Sequence, residues 1–191
     1  MERLVIMTVG KTHSGKSTFA TKLEKQLENA VVVDQDRHAE FINTYYSKLL
    51  AKEGPNTIKY AVTKTIVDHA IEETGCHLII CNSNRSRSGR QDLLDYFHNK
   101  GFTSILVNFD LPDRVLKERI AASSRSKKIF RSAATFEEVL ARQNAESDKN
   151  GVTSPVEGEA DYLFVIRDTN DVSGVIQEIG RISSSKRGGD L

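Results

Sequence analysis

The sequence has little of what defines several large classes of protein. It contains only two cysteines, Cys76 and Cys81, which lie in or beside one apolar run. Neither a disulfide framework nor a zinc site follows from that spacing, and both thiols are expected to be reduced. No apolar run approaches the roughly 18 residues that a membrane-spanning helix needs. The apolar segment at residues 4–9 is also too short for a signal-peptide core, so we expect a cytoplasmic protein.

The net charge of the chain is small as well. The 27 Lys and Arg residues nearly balance the 26 Asp and Glu residues, which leaves a net charge of +1. This balance argues against a surface that mainly coats nucleic acid, and the composition excludes a disordered tail protein or a coiled coil. The 191 residues fit one domain. We predict a domain at residues 1–183 with a lid at about 121–134, followed by a flexible C-terminal tail at residues 184–191.

Short apolar runs alternate with helical patterns, which is typical of a parallel sheet covered by helices. Five runs are predicted to be buried strands, because each is largely continuous in apolar residues: 4–9, 31–33, 78–81, 104–109 and 162–166. Between them, apolar residues recur with helical spacing, as in the stripe of Ile58, Val62, Ile66 and Ala70. The predicted lid is basic and rich in serine, and shows little periodicity. Such a segment is expected to order when a ligand binds.

A complete phosphate-binding loop follows the first predicted strand. Residues 10–17, GKTHSGKS, satisfy the pattern G-x-x-x-x-G-K-[ST] without a mismatch. In such a loop the backbone N–H groups point at phosphate oxygens, Lys16 contacts the β- and γ-phosphates, and the Ser17 hydroxyl is placed to bind Mg²⁺. His13 occupies a free position and is interpreted as a tolerated variant. The predicted ATP-binding residues here are Gly10, Thr12, His13, Ser14, Gly15, Lys16, Ser17 and Thr18.

The absence of certain motifs excludes several branches of the phosphate-loop proteins. The chain has no Asn-Lys-x-Asp motif for reading a guanine base, and its Asp-x-x-Gly segments, 148–151 and 171–174, come too late to be a GTPase switch. AAA+ and transporter ATPases need a longer chain. The kinase branch remains, in which a substrate hydroxyl is brought to the γ-phosphate of ATP.

The predicted second strand ends in acidic and basic residues that suit an acceptor site. Asp34, Asp36 and Arg37 follow its last valine, at the edge where open α/β sheets bind ligands. A carboxylate there can accept the proton of an attacking hydroxyl, and an arginine can hold a substrate phosphate or carboxylate. The alternative interpretation is that Asp34 or Asp36 only caps a helix.

These elements resemble a known family. The phosphate loop, the Asp34-x-x-Arg37 element and the Asn82-Ser83-Asn84 element with Arg90 resemble the kinase domain of bacteriophage polynucleotide 5′-hydroxyl kinase, and the broader group of AAA-domain small kinases and zeta-toxin-like proteins. The resemblance spans residues 4–166. It implies an α/β P-loop NTPase fold, with five parallel strands in the order 2-3-1-4-5, helices on both faces and a short lid.

The resemblance also implies roles for individual residues. Asp34 would be the general base and, with Ser17, part of the magnesium site, while Arg37 would clamp the acceptor. Arg119 would lie near the adenine, and Arg125 would be the lid arginine that neutralises the transferred phosphoryl group, with Arg131 as a substitute. Asn82 departs from the family, which usually has an acid there, so Asp34 or Asp36 must complete the metal shell. Shikimate kinase offers a competing register in which Asp36 meets the acceptor hydroxyl.

The sequence therefore predicts an ATP-dependent kinase that uses Mg²⁺ and acts on a hydroxyl of a small metabolite or nucleotide-like acceptor, as a monomer or homodimer without a membrane partner. Two alternatives stay open. A polynucleotide 5′-hydroxyl kinase would be favoured if a set of basic residues formed one rim: Arg85, Arg87, Arg90, Arg125, Lys127, Lys128 and Arg131. A nucleotide-binding module with little transferase activity would be favoured by the missing acid at Asn82.

Overall fold

The computed structural model describes residues 3–51, 53–131, 133–147 and 151–185. It contains five strands: β1 (Arg3–Gly10), β2 (Ala30–Asp34), β3 (His77–Cys81), β4 (Phe102–Phe109) and β5 (Tyr162–Ile166). Seven α-helices lie in the described segments: α1 (Lys16–Gln26), α2 (Gln35–Tyr45), α3 (Thr57–Glu73), α4 (Arg87–His98), α5 (Asp113–Ala121), α6 (Phe136–Glu146) and α7 (Asp171–Ser185). Two 3-10 turns complete the order, at Ser47–Leu49 and Lys127–Ile129.

The five strands form one parallel sheet in the order β2-β3-β1-β4-β5. The central strand β1 pairs on both sides, so that Ile6 lies opposite Ile79 of β3 and Ile105 of β4. The predicted α/β fold and its strand order are confirmed. Among the described residues, no helix combines the length and the apolar character that crossing a bilayer requires.

Alternate residues of β1 supply two separate cores, because successive side chains of a strand point to opposite faces of the sheet. Leu4 and Ile6 pack with residues of α1 and α7, whereas Val5 and Met7 pack with residues of α3 and α4. All four side chains are completely buried. Burying one such side chain contributes about 1.5–3 kcal/mol, so the two cores hold the sheet rigidly between its helices.

Local sequence signals account for the helix boundaries. Thr135 caps α6 by accepting a hydrogen bond from the backbone N–H of Glu138 at 3.2 Å, and the Glu138 carboxylate accepts one from the N–H of Ala134, the residue before the cap. At the other end of the chain, α7 continues to Ser185, two residues into the predicted tail. The rest of that tail, residues 186–191, lies outside the described residues.

One predicted helical face is wrong. The helix predicted from the stripe of Ile58, Val62, Ile66 and Ala70 is present as α3, but Ile66 is exposed. The buried residues of α3 are Thr63, Val67, Ala70 and Ile71. A strict spacing of four residues drifts by about 40° at each step around a helix of 3.6 residues per turn, so such a stripe cannot stay on one buried face.

Candidate active site

Two glycines give the phosphate loop between β1 and α1 its shape. Gly10 has φ +147° and Gly15 has φ +103°, both in the region that side chains disfavour. A Cβ at position 10 would lie 3.0 Å from both Cβ and the carbonyl oxygen of Phe109. The Gly10 N–H donates a 2.9 Å hydrogen bond to the carbonyl of Ser83, which ties the loop to the segment after β3.

Lys16, the first residue of α1, turns its ammonium back into the loop. Its Nζ donates hydrogen bonds to the Lys11 carbonyl at 2.5 Å and to Ser14 Oγ at 3.2 Å. Desolvation inside the loop lowers the pKa of Lys16 to about 8. Phosphate oxygens are stronger partners for an ammonium than these neutral acceptors. The Lys16 ammonium can therefore exchange these two neutral acceptors for the oxygens of an anion.

His13 joins the phosphate loop to the helices that follow β4. It has a positive φ of 58°, and its ring nitrogens lie 3.0 Å from Thr12 Oγ1 and 2.9 Å from Ser123 Oγ. The ring meets Phe136 edge to face, with centroids 4.5 Å apart. Burial lowers the pKa of His13, and the nearby Arg125 lowers it further, which favours the neutral imidazole at pH 7. These contacts give His13 a positioning role.

The Thr12 amide already has a protein partner. Its N–H donates to Gln143 Oε1 on α6 at 2.8 Å. Sequence analysis missed Gln143, since nothing near it in the chain signals a contact with the phosphate loop. Thr18, in the first turn of α1, completes the predicted set and lines the same cavity as His13.

Asp34 uses its two carboxylate oxygens differently. Oδ1 accepts a hydrogen bond from the Asp36 N–H at 2.9 Å and caps α2, whereas Oδ2 accepts one from Ser17 Oγ at 3.2 Å. The carboxylate is only 4% exposed. The helix-cap interpretation is thus correct for Asp34, but it covers only one of the two oxygens. The other oxygen and the Ser17 hydroxyl form a pair of hard donors of the kind that Mg²⁺ prefers.

Asp36 lies in the open cavity, in contrast to Asp34. Its side chain is half exposed, and its Oδ2 forms an ion pair with Arg125 Nη2 at 2.7 Å. The Arg125 guanidinium also lies 5.5 Å from the centroid of the Phe136 ring. The predicted lid arginine and the second predicted carboxylate therefore meet directly across the cavity.

The structure does not bring Arg37 to this cavity. Its Nη2 donates to Thr21 Oγ1 on α1 at 3.3 Å, and Arg37 is absent from the lining of the cavity. Arg131, the substitute for Arg125, does line the cavity, but its guanidinium donates to the carbonyls of Ala51 and Gly54. Of these two arginines, Arg125 is thus the one that contacts Asp36.

Arg119 bridges the phosphate loop and the segment after β5. Nη1 donates to the carbonyls of His13 at 3.3 Å and Ser14 at 3.1 Å, and Nη2 donates to Thr169 Oγ1 at 3.0 Å. Apolar residues line the cavity at this end: Phe109, Leu111, Ile166 and Val172. An apolar slot beside an arginine suits a planar base, and the place of Arg119 at the adenine stays a prediction.

The basic rim that would favour a polynucleotide kinase is incomplete. Arg90 is completely buried, and its guanidinium binds both carboxylate oxygens of Glu159, at 2.5 and 3.1 Å, together with three backbone carbonyls. Arg85 donates to the Gln143 carbonyl at 2.6 Å and to Ser147 Oγ at 2.9 Å. Two of the arginines assigned to the rim are therefore structural.

One cavity of about 790 Å³ contains both halves of the site. It extends from the phosphate loop to Asp36, and Asn82 and Ser83 after β3 form part of its wall. Sequence analysis missed its wall residues on α3, Lys59 and Tyr60, because a lysine next to a tyrosine on a helix carries no functional signal.

Comparisons with known proteins agree with this geometry. A family model described as AAA domain, AAA_33, matches residues 5–147. No curated protein matches the sequence. Among solved structures, a Chloroflexus aurantiacus protein described as a candidate kinase has a TM-score of 0.66 at 16% identity and covers 95% of this chain and 98% of its own.

Two further solved structures contain nucleotide ligands. Chaetomium thermophilum Kti12, in complex with ADP-AlF3, has a TM-score of 0.62 at 16% identity, with 92% of this chain and 96% of that chain covered. The Mycobacterium tuberculosis APS kinase CysC, in complex with AMPPNP and APS, has a TM-score of 0.55 at 17% identity, with 93% and 95% covered. At such identities these similarities establish the P-loop kinase fold. Together with the match over residues 5–147, they show that the chain belongs to the AAA_33 family of AAA-domain proteins.

Proposed function

We propose that the protein is an ATP-dependent kinase that transfers the γ-phosphate of ATP to a hydroxyl group of a small acceptor. The observation that carries the proposal is the single cavity lined by Lys16 of the phosphate loop and by the Asp36 carboxylate. A kinase needs a phosphate-binding group and a proton acceptor that face the same cavity, because phosphoryl transfer depends mainly on positioning and on charge neutralisation.

Lys16 and the backbone amides of the loop would bind the phosphates of ATP. The Lys16 ammonium, now hydrogen-bonded to the Lys11 carbonyl, would move to the phosphate oxygens. The N-terminus of α1 adds partial positive charge at the same point. Arg119, fixed between the loop and Thr169, would lie beside the base.

Ser17 and Asp34 would hold Mg²⁺. Their oxygens are 3.2 Å apart, and the buried Asp34 carboxylate has one oxygen outside its helix cap. This donor set fits a hard cation that keeps several waters and binds phosphates at the same time. When bound, Mg²⁺ neutralises charge on the β- and γ-phosphates.

Asp36 would be the general base, in place of Asp34. Asp34 is buried and both of its oxygens are engaged, whereas Asp36 is half exposed in the cavity. Asp36 would accept the proton of the acceptor hydroxyl as its oxygen attacks the γ-phosphorus. Arg125 would leave Asp36 and neutralise the transferred phosphoryl group, so that one ion pair supplies both groups.

The test is transfer from radiolabelled ATP to a panel of sugars, hydroxy acids and nucleosides, for the wild-type protein and for Lys16→Ala. We expect a labelled product with the wild type only, and severely weakened ATP binding in Lys16→Ala, which loses its contact with the phosphates. Lys25→Ala, exposed in the last turn of α1 and outside the lining of the cavity, is the matched control. ATP binding without transfer to any compound would leave a nucleotide-binding module instead.

A further inference from the structure

The cavity is strongly basic although the chain is nearly neutral. Among the described residues, seven basic side chains line the cavity and only two acidic ones, whereas the net charge of the chain is +1. Lys16 and Arg119 contact the phosphate loop. Lys59 and Arg131 lie on the opposite part of the wall, which α2, α3 and the lid form. Nucleotide binding at the loop leaves these two cations unexplained.

Lys59 belongs to the part of the cavity wall that α3 forms. Its backbone carbonyl accepts a 2.9 Å hydrogen bond from Thr63 Oγ1, which in turn contacts His38 Nδ1 at 2.8 Å. This chain of contacts fixes the first turns of α3 against the start of α2, the helix that carries Asp36. The Lys59 ammonium lies 4.7 Å above the centroid of the half-exposed Tyr60 ring.

Arg131 approaches the same space from the lid. Asn43 of α2 donates to the carbonyls of Lys128 at 2.6 Å and Phe130 at 3.1 Å, which anchors the lid just before Arg131. The guanidinium itself donates to the carbonyls of Ala51 and Gly54. Backbone carbonyls satisfy its hydrogen bonds but leave its charge uncompensated.

Neither cation has an acidic partner among the residues that the structure describes. In the segments that the structure describes, every ion pair involves other residues, such as Arg125 with Asp36 or Lys11 with Asp113. Unpaired cations on the wall of a cavity favour an anionic occupant, because its hydrogen bonds to them are charge-assisted.

We propose that the acceptor carries an anionic group, a phosphate or a carboxylate, in addition to the hydroxyl that is phosphorylated, and that Lys59 and Arg131 bind this group. The inference rests on the proposed kinase function. In the transfer, the acceptor oxygen forms a bond to the γ-phosphorus, the bond from that phosphorus to the bridging oxygen breaks, and ADP leaves with the electron pair. The hydroxyl proton goes to the Asp36 carboxylate.

Matched pairs of compounds test the substrate class. The pairs are glucose with glucose 6-phosphate, adenosine with adenosine 3′-phosphate, and shikimate with its methyl ester, so that phosphate and carboxylate are compared separately. We expect kcat/KM for an anionic member to exceed that of its neutral partner by at least about tenfold. Equal or faster transfer to a neutral member would overturn the proposal while leaving the kinase function intact.

Variants test the residues through a readout that needs no transfer. Inorganic sulfate is titrated into protein saturated with AMPPNP and Mg²⁺, so that the phosphate loop is occupied, and binding is followed by calorimetry. We expect Lys59→Met and Arg131→Met each to weaken sulfate binding at least about fivefold. Lys64→Met is the matched control, because Lys64 lies on α3 but is 71% exposed and pairs with Asp68.

The transfer assay and the sulfate titration together distinguish a failure of the kinase proposal from a failure of the anion-site proposal. If sulfate binding depends on Lys59 and Arg131 but no compound is phosphorylated, the anion site stands and the kinase function fails. If the wild type does not bind sulfate, or binds it no better than both variants do, the anion site is wrong whatever the transfer assay shows.

Discussion

Asp34 and Asp36 are two residues apart, yet they lie in opposite surroundings. Asp34 is buried, with one oxygen on the helix cap and the other on Ser17, whereas Asp36 is half exposed and pairs with Arg125. A buried carboxylate with fixed partners suits a metal shell, and an accessible one suits proton transfer. The roles that we propose for the two acids follow from their positions at the end of β2 and in the first turn of α2.

Replacing Asp34 by asparagine is expected to change the magnesium requirement. Asparagine still caps α2 through its side-chain oxygen but removes the negative charge beside Ser17. We expect the Mg²⁺ concentration for half-maximal activity to rise by about 10–100-fold, with little change in melting temperature. A magnesium titration of initial rates measures this, and an unchanged titration curve would remove Asp34 from the metal shell.

The lowered pKa of Lys16 predicts how nucleotide binding depends on pH. In the free protein this pKa is about 8, so above that pH the free side chain is largely neutral. Phosphates favour the charged form and raise the pKa, so binding takes up a proton there and ATP affinity falls as the pH rises. Calorimetry in buffers of different ionisation enthalpy is expected to show little uptake of protons at about pH 7 and close to one proton at about pH 9. Equal uptake at both values would contradict the assignment.

At the scale of elements, several contacts hold the lid over the cavity. Asn43 holds the carbonyls of Lys128 and Phe130, Arg125 pairs with Asp36, and the His13 ring contacts Ser123. Opening the cavity for an acceptor breaks the exposed contacts first, because exposed ion pairs contribute only about 0–1 kcal/mol. The ordering of the lid on nucleotide binding stays a prediction.

Asn43→Ala is expected to loosen the lid without disturbing the phosphate loop. It removes both hydrogen bonds from α2 to the lid carbonyls, at a cost of about 1–3 kcal/mol. Hydrogen exchange of residues 123–131 should become faster, while ATP affinity stays within about twofold of the wild type. Asn99→Ala, at an exposed position with right-handed helical backbone at the end of α4, is the control. Unchanged exchange in the lid would show that Asn43 does not hold it.

The elements themselves were predictable because each signal is local. Apolar runs mark the strands, and the phosphate loop is contiguous in sequence, so neither depends on distant contacts. The direction of single side chains is less predictable. Asp36 and Arg37 are neighbours about 100° apart on α2, and the sequence alone does not say which of them faces the cavity. Arg90 was misplaced for a related reason, since its partner Glu159 lies 69 residues away.

At the scale of the whole molecule, charge is unevenly distributed. The cavity wall is basic in a chain of net charge +1, so the remainder of the chain is net acidic. A basic cavity in an acidic surface concentrates anionic ligands at its mouth and keeps extended polyanions from binding along the outside. This distribution favours a small anionic acceptor over a polynucleotide.

The buried ion pair of Arg90 and Glu159 connects distant parts of the chain, and its loss is expected to destabilise the whole fold. Glu159→Gln leaves the Arg90 guanidinium completely buried without a counter-charge, which costs about 3–5 kcal/mol. Chemical denaturation measures the free energy of unfolding. Glu157→Gln, exposed in the same loop, is the matched control and should change it by less than about 0.5 kcal/mol. A similar small change in Glu159→Gln would contradict the structural role of this pair.

The most direct test of the account is the turnover of Asp36→Asn with the acceptor that the panel identifies. If Asp36 is the base in a cavity shared with ATP, kcat falls by about 10²-fold or more, while ATP affinity stays within about twofold of the wild type. Asp92→Asn, on the exposed surface of α4, controls for the loss of a carboxylate. Full turnover by Asp36→Asn would contradict the central claim.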